Sequence, residues 1–538
     1  MKIRNHMTAF AVLAGALTLA ACGGETTPTG APGEPAAAAT TADGSGSGQA
    51  HPTINVAFNT GVSTLDPAYS CESFGYTVIR NTYDQLVAPA PGGQANGSNV
   101  KPMLATKWES SADKRTWTFT LRDGVTFASG NPLTAKDVEY SLNRVLDLDA
   151  CAAFVVTGGL TGNITKVKAV DDTSVAVTLK KADPIFLETM SSRAASIVDS
   201  KLLDEHGGAG KKGAKWLATH TAGSGPFTLA TYEPDSSIVL KPRTDYWRGT
   251  PKPGEVNIKV VTDSSTLKVL TSSHQVDMAY GIQPKDLDSL KAAGSTVLSF
   301  PSQFVTYIGL VSDQKPLDDV RVRQALAYAF PAEDIIKAFG YGQAKAFAGP
   351  IPPAMPYYPN LPGLGHDPEK AKQLLAAAGV ANLKLTLVVQ SGQSTHEQIA
   401  TVLQDAYRDI GVTLKVQTLG SSAFTDKVYN YKAQSFIIDD GPTVNDPGYL
   451  LSYQARCGDS FNWVRYCDKG VDAQLEQARF EIDDAKRGDL YKQIDAKLIQ
   501  DAPYIEVMAK NHTIVADPKI KGYTYYDDQT AHFFDITK

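Results

Sequence analysis

The 538-residue chain is poor in the groupings that metal and nucleophilic catalysis require. Its nine histidines are scattered, with no His-Glu-x-x-His and no pair at helical spacing, which argues against a catalytic zinc site. No Gly-x-Ser-x-Gly occurs, so the nucleophile elbow of a serine hydrolase is missing. The run Gly208-Ala209-Gly210-Lys211-Lys212-Gly213 fits Gly-x-Gly-x-x-Gly, but it follows the polar Asp204-Glu205-His206 instead of an apolar strand. Lys212 also stands where a phosphate-binding loop needs Ser or Thr, so nucleotide binding is rejected. There is no basic stripe and the net charge is -6, which excludes nucleic acid as the expected partner. No cofactor is implied by any motif. Beyond the first 21 residues no long apolar run occurs, so any membrane channel has to be another chain.

What is present begins at the N-terminus. Lys2 and Arg4 precede the apolar, uncharged stretch Met7–Ala21, which is short of the roughly 20 residues a membrane span needs and reads as a signal peptide over residues 1–21. Its end, Leu19-Ala20-Ala21-Cys22-Gly23, resembles a bacterial lipobox, with Cys22 as the lipidated first residue of the mature protein. Acyl chains contribute ~0.8 kcal/mol per buried methylene, so several of them tether firmly. Residues 22–50 are mostly Ala, Thr, Gly, Pro and Ser, unable to bury enough apolar surface to fold, and read as a flexible linker. The expected location is the outer face of the bacterial cytoplasmic membrane. Without Lys2 and Arg4, 49 basic residues stand against 57 acidic ones, a net charge of -8.

The body from residue 51 is too long for a single core. Four cysteines remain in it, and an even number in an exported chain favours disulfides. Cys457 and Cys467 flank a short polar and aromatic segment and are expected to pair, leaving Cys71 with Cys151 by elimination. The patterning is mixed α/β. Trp117, Phe119 and Leu121 alternate with polar residues as a strand, and Asp123-Gly124 predicts a tight hairpin turn before Val125 and Phe127. Thr134 and Asp137 suggest a capping box opening a helix with Val138, Leu142, Val145 and Leu146 on one face. Leu383 to Val389, then Ile399 to Ile410, then Val412 to Val416 read as a β-α-β unit with Gly411 ending the helix. Asp367-Pro368 opens a further helix before it. Open sheets built from such units bind ligands at their strand ends.

Several segments, in order and at characteristic spacing, carry a resemblance. They are Leu65-Asp66-Pro67-Ala68, Tyr83-Asp84-Gln85-Leu86-Val87, Pro102-Met103-Leu104-Ala105 with Trp108-Glu109, and Trp117 through Leu133-Thr134-Ala135-Lys136-Asp137-Val138. Gly223-Ser224-Gly225-Pro226-Phe227, Asp245-Tyr246-Trp247-Arg248-Gly249, Asp319-Val320-Arg321-Val322-Arg323-Gln324-Ala325-Leu326 and Cys457–Trp463–Cys467 continue it. From about Ile54 to Thr537 the chain resembles the extracellular family 5 solute-binding proteins of peptide and nickel ABC importers. The resemblance implies a two-lobed, hinged (type II) periplasmic-binding-protein-like α/β fold with an extra subdomain in the first lobe. By analogy, lobe I takes residues 51–83, 219–301 and 510–538, the added subdomain 84–218, and lobe II 302–509. It also implies a non-enzymatic, monomeric protein that captures a peptide or other small-molecule solute between its lobes and delivers it to ABC permease subunits.

Peptide-binding members carry Trp-x-x-Asp-x-x-Asp/Glu-Pro, whose first Asp pairs with the peptide ammonium. The matching run here is Asp440-Gly441-Pro442-Thr443-Val444-Asn445-Asp446-Pro447, with Thr443 at the position of that Asp. Asp439 and Asp440 are then the neighbouring carboxylates for a ligand cation, or else a solvated turn. Further candidates come from topology: Tyr69, Ser70 and Glu72 at the cleft edge, Phe304 and Tyr307 past the hinge, Gly441 beside the carboxylates, and Asn462 and Trp463 in the Cys457–Cys467 loop. An oligosaccharide-binding member is the alternative within the family, a ligand-presenting signalling lipoprotein the alternative outside it, and an exported hydrolase the weakest reading. Metal ligands are not expected. The Cys22→Ser variant is expected to appear in the culture medium instead of the membrane fraction, and membrane retention on fractionation would remove the lipid anchor from the reading.

Overall fold

The structure, a computed structural model, describes residues 51–70, 73–91, 100–159 and 162–538. The expected signal, lipidation site and linker over residues 1–50, and also Cys71 and Glu72, lie outside the described residues.

Two long strands organise the fold. Thr296–Leu310 and Tyr504–Ala516 run antiparallel along each other at the centre of a large sheet. At ~3.3 Å per residue, a 15-residue strand is on the order of 50 Å long, enough to serve two separate sheet halves. On one side, the 504–516 strand continues into Met278–Tyr280, Thr53–Phe58, Glu255–Val260, Ser237–Pro242 and Phe227–Glu233. On the other, the 296–310 strand continues into Ser435–Asp440, Lys384–Gln390 and Thr413–Leu419. Each half has its own apolar core. Ile54, Val56, Ile238, Val256 and Ile514 fill the first, and Leu310, Leu326, Leu385, Leu403 and Val507 the second.

The β-α-β unit predicted in the second half is present. Strands Lys384–Gln390 and Thr413–Leu419 pair in parallel, joined by the helix Ser394–Asp409, and Gly411 takes the positive φ of 81° that ends the helical run. Asp367 caps the helix Pro368–Ala377 through the Lys370 amide, with Pro368 in its first turn, where no amide proton is needed.

A separate antiparallel sheet of four strands runs in the order Ala105–Ser110, Thr116–Leu121, Ser174–Leu179, Ile164–Ala169. Here the predicted hairpin is corrected. Strand 116–121 has both edges occupied, by 105–110 and by 174–178, so the chain after Asp123-Gly124 does not fold back along it. Val125 and Phe127 are buried instead in a small loop closed by a bridge between Thr126 and Pro132. The capping box holds: the Thr134 amide donates to Asp137 at 2.9 Å, and helix Ala135–Leu148 buries Val138, Leu142 and Val145.

The sequence segments that carried the resemblance meet in buried polar hubs. Asp84 accepts hydrogen bonds from Ser224 Oγ at 3.0 Å, Tyr246 Oη at 2.9 Å and Trp247 Nε1 at 3.2 Å, so two distant segments converge on the carboxylate of a third. Burial pushes this carboxyl up to about 6 against those three donors. Gly225 is required beside it, because a Cβ there would sit 2.5 Å from the Thr82 carbonyl carbon. Asp66 is gripped by both terminal nitrogens of Arg144, at 2.9 and 2.6 Å, with both side chains almost fully buried. Asp183 and Arg479, 296 residues apart, form a second such bidentate pair at 2.6 Å. The Cys457–Cys467 disulfide is formed. Cys151 is also disulfide-bonded. No helix among the described residues is long and apolar enough to cross a membrane.

Asp66→Ala would strand the buried Arg144 guanidinium and is expected to cost about 3–5 kcal/mol of folding stability. Denaturant unfolding measures this directly, and a loss below ~1 kcal/mol would show that the pair does not hold these segments together.

Candidate functional site

The two long strands do not pair continuously. Pro301 faces Asn511 and Val305 faces Ala509, so Ser302, Gln303 and Phe304 stand opposite Lys510 alone. Such a bulge bends a strand and re-aims its side chains. Ser302 secures it by donating to the Lys510 carbonyl at 2.7 Å and accepting from the Phe304 amide at 3.2 Å.

A cavity of about 440 Å³ opens at this bulge. Its first-half wall is the end of strand 53–58 and the exit of strand 278–280, including Asn59, Tyr280 and Gly281. Gly281 has φ 81° and lies so close to Asn59 that a Cβ would collide with its amide. The second-half wall contributes Phe304, Thr306, His396 and Asp439, and the strand common to both contributes Lys510 and His512. The volume lies within the range of roughly 300–1,000 Å³ in which small-molecule sites fall.

Its charged centre is Asp439. One carboxylate oxygen accepts from Thr306 Oγ1 at 2.5 Å and lies 3.0 Å from His396 Nε2, and the other receives Lys510 Nζ at 2.6 Å. Burial alone would raise this carboxyl, but Lys510 and His396 together hold it well below the usual carboxylate range. Asp439 is therefore an anion already engaged by the protein's own Lys510 and His396 side chains. Asp440, next along the strand, points into different surroundings. It accepts from the Gly441 amide at 2.8 Å and from Tyr453 Oη and Gln454 Nε2 at 3.3 Å, and burial raises its pKa.

Beyond Gly441, whose missing Cβ makes room for the Phe304 ring, the chain reaches a smaller cavity of about 70 Å³. Thr443 lines it, together with Arg193, Glu188, Asn445, Asp527 and the ion pair Arg80–Asp528. Burial lowers the pKa of Arg193, and burial raises the Glu188 carboxyl to about 8.

The structure thus brings Phe304 and Asp439 to the larger cavity and Thr443 to the smaller, with Asp440 and Gly441 on the segment between. Tyr69 is exposed and Ser70 buried, and neither is among the lining residues of these two cavities. Tyr307 is buried, edge-on to Tyr504 at 5.0 Å. Asn462 spans the disulfide-closed loop, donating to the carbonyls of Arg456 and Tyr466 at 2.9 and 2.7 Å, and Trp463 stacks on Tyr429. Sequence reasoning missed Lys510, His396, Thr306, Arg193 and Glu188. His396 had a signal, since it opens a helix directly after a parallel strand, where open sheets place ligands. Arg193 had a weaker one: it is the single charged residue between Glu188 and Asp199.

His512, between the Tyr280 and Tyr525 rings, has its pKa lowered to about 4 by burial, against an opposing pull from Asp528. The unfolded chain then binds more protons between about pH 6.5 and pH 4, so this group destabilises the fold as pH falls through that window. Replacing it in His512→Gln should reduce the stability lost between pH 7 and pH 5 by about 2 kcal/mol. Denaturation midpoints at the two pH values test this, and equal losses in both proteins would contradict it.

Residues 99–462 match the family described as bacterial extracellular solute-binding proteins, family 5 Middle. The chain is 29% identical over 467 residues to the "Probable D,D-dipeptide-binding periplasmic protein DdpA" of Escherichia coli (strain K12), covering 86% of this chain and 89% of that protein. It is 26% identical over 496 residues to the "Glutathione-binding protein GsiB" of Shigella dysenteriae, covering 90% and 94%. The fold superposes with a TM-score of 0.81 on the Helicobacter pylori periplasmic binding protein DppA in complex with peptide STSA, at 24% identity over 90% of this chain and 98% of that one. The architecture is that of the two-lobed periplasmic binding proteins. With the family pattern matched over most of its length, the chain belongs to the family 5 bacterial extracellular solute-binding proteins.

Proposed function

We propose that the protein is the substrate-binding lipoprotein of an ABC importer, held by Cys22 at the outer face of the bacterial cytoplasmic membrane. It takes a peptide or peptide-like solute between two lobes and hands it to membrane permease subunits, with no chemistry of its own. The observation that carries the reading is the bulge at Ser302–Phe304 opposite Lys510, with a solute-sized cavity at the point where the paired strands pass from one core to the other.

On this reading the lobes are residues 51–83, 219–301 and 510–538 against residues 302–509, and residues 84–218, with their own four-stranded sheet, are a subdomain of the first. The crossings at 301/302 and 509/510 then coincide with the bulge, where a strand bends most easily. The Asp183–Arg479 pair joins the subdomain to the second lobe, so opening would expose two charges that are buried and mutually satisfied here. A solute favours the closed arrangement only through contacts it makes there and not in the open one. Support for a peptide-like cargo comes from the relatives, one named for D,D-dipeptide and one for glutathione binding.

Native mass spectrometry of the purified protein is expected to show one small solute per chain, and X-ray scattering to show compaction when that solute is returned to stripped protein. A chain whose scattering is the same with and without every solute tried would sink the reading.

A further inference from the structure

A third cavity, of about 540 Å³, is lined only by residues between Ala327 and Glu506, all in the second half of the molecule. It shares no lining residue with the two cavities described above. It opens where a sheet edge is left bare. The short strand Ala344–Lys345 covers the outer edge of strand 504–516 only at Ala509 and Lys510, so Tyr504–Met508 pair with no strand but 296–310. Residues 346–366, with six prolines and no helix or strand, supply much of the remaining wall. The first turn of helix Ala332–Phe339 and the end of helix Asp484–Asp501 complete it. The volume suits a small molecule.

The charge of this wall is one-sided. Glu506, Glu333 and Asp334 line it, and no lysine or arginine does. Glu333 and Asp334 are exposed at the helix start. Glu506 sits on the bare strand, and its carboxyl makes no hydrogen bond or ion pair among the described residues. The buried carboxylates Asp66, Asp183 and Asp446, by contrast, each meet an arginine. Behind the wall, Asp495 accepts from the Ile351 amide at 3.2 Å, and its second oxygen is buried without a partner. Burial, with Asp495 and Asp440 nearby, pushes the Glu506 carboxyl up. What this carboxyl lacks is a cation, and one entering the cavity would meet no competing positive charge.

The rest of the wall identifies the kind of cation. Among the described residues no group of three His, Cys, Asp or Glu side chains could hold a metal ion. The wall instead carries the rings of Phe330, Phe347, Tyr358 and Tyr504, together with Leu361 and Leu498. Aromatic faces attract an ammonium group, and apolar side chains take up the body that carries it. A carboxylate then receives the ammonium N–H groups as charge-assisted hydrogen bonds.

We propose that this cavity is a second binding site, for an organic ammonium ion with an apolar or aromatic body, in which Glu506 receives the ammonium group. Every lining residue belongs to one half of the molecule, so occupancy does not require the two halves to approach each other. The inference goes beyond the clamp reading and does not rest on it.

The test uses full-length protein at pH 7 with 2-phenylethylamine, the neutral 2-phenylethanol and the anionic 3-phenylpropanoate. Binding is read by calorimetry and located by hydrogen exchange. The amine is expected to bind on the order of 100-fold more tightly than the alcohol, the scale of losing one partner from a buried charge pair, and the acid not to bind. Exchange protection should fall on residues 346–366 and 498–506, and X-ray scattering should be the same with and without the amine. Glu506→Gln should abolish the preference for amine over alcohol without lowering the melting temperature of the empty protein, since it removes a carboxyl that has no partner. Glu333→Gln, at the exposed rim, should weaken amine binding only about two- to threefold. An alcohol that matches the amine, protection that falls instead on the Ser302–Phe304 bulge, compaction on adding the amine, or a Glu506→Gln protein that keeps the preference would each overturn the proposal. So would an amine that gives no binding heat at millimolar concentration. If Glu506→Gln does not fold, the amine–alcohol comparison and the protection map of the unaltered protein decide.

Discussion

The pairing of two strands carries the rest of the molecule. Thr296–Leu310 and Tyr504–Ala516 are longer than any other strands among the described residues, and both apolar cores are laid against them. A continuous antiparallel ladder of that length would be a stiff plank. Three residues set against one at Ser302–Phe304 break the ladder without breaking the chain, and the Ser302 hydroxyl satisfies backbone groups that the break exposes. The cavity lies at this discontinuity because there side chains of both halves face a common space.

Within each half, the connections between segments are of a different kind. Buried carboxylates act as fasteners between segments distant in sequence: Asp84 gathers Ser224, Tyr246 and Trp247, Asp66 holds Arg144, and Asp446 holds Arg487. Each costs desolvation and is favourable only while its partners stay in place, so these contacts specify geometry more than they add stability. Around the cavities the balance differs. Asp439 is held ionised by Lys510 and His396, whereas Arg193 and Glu188 are buried without such compensation.

Much of the architecture was legible from local patterns. The β-α-β unit over 384–419, the helix caps at Thr134 and Asp367, and the Cys457–Cys467 bridge all arise from periodicity, capping chemistry and spacing, which act over a few residues. The hairpin after Asp123-Gly124 failed because the turn signal is local while the choice of strand partner is not. Both edges of strand 116–121 were taken, one of them by residues more than fifty positions away.

The same division runs through the site. Sequence alone determined the family resemblance, the mixed α/β class, and the segment from Asp439 to Thr443 as the place to look, because these depend on residue identity in order along the chain. Only the tertiary structure decided that Asp439 meets Lys510 and His396, and that Arg193 stands beside Thr443, 250 positions away, without a carboxylate. Charge compensation depends on which groups lie within a few ångströms in a desolvated interior, and that proximity is created by folding.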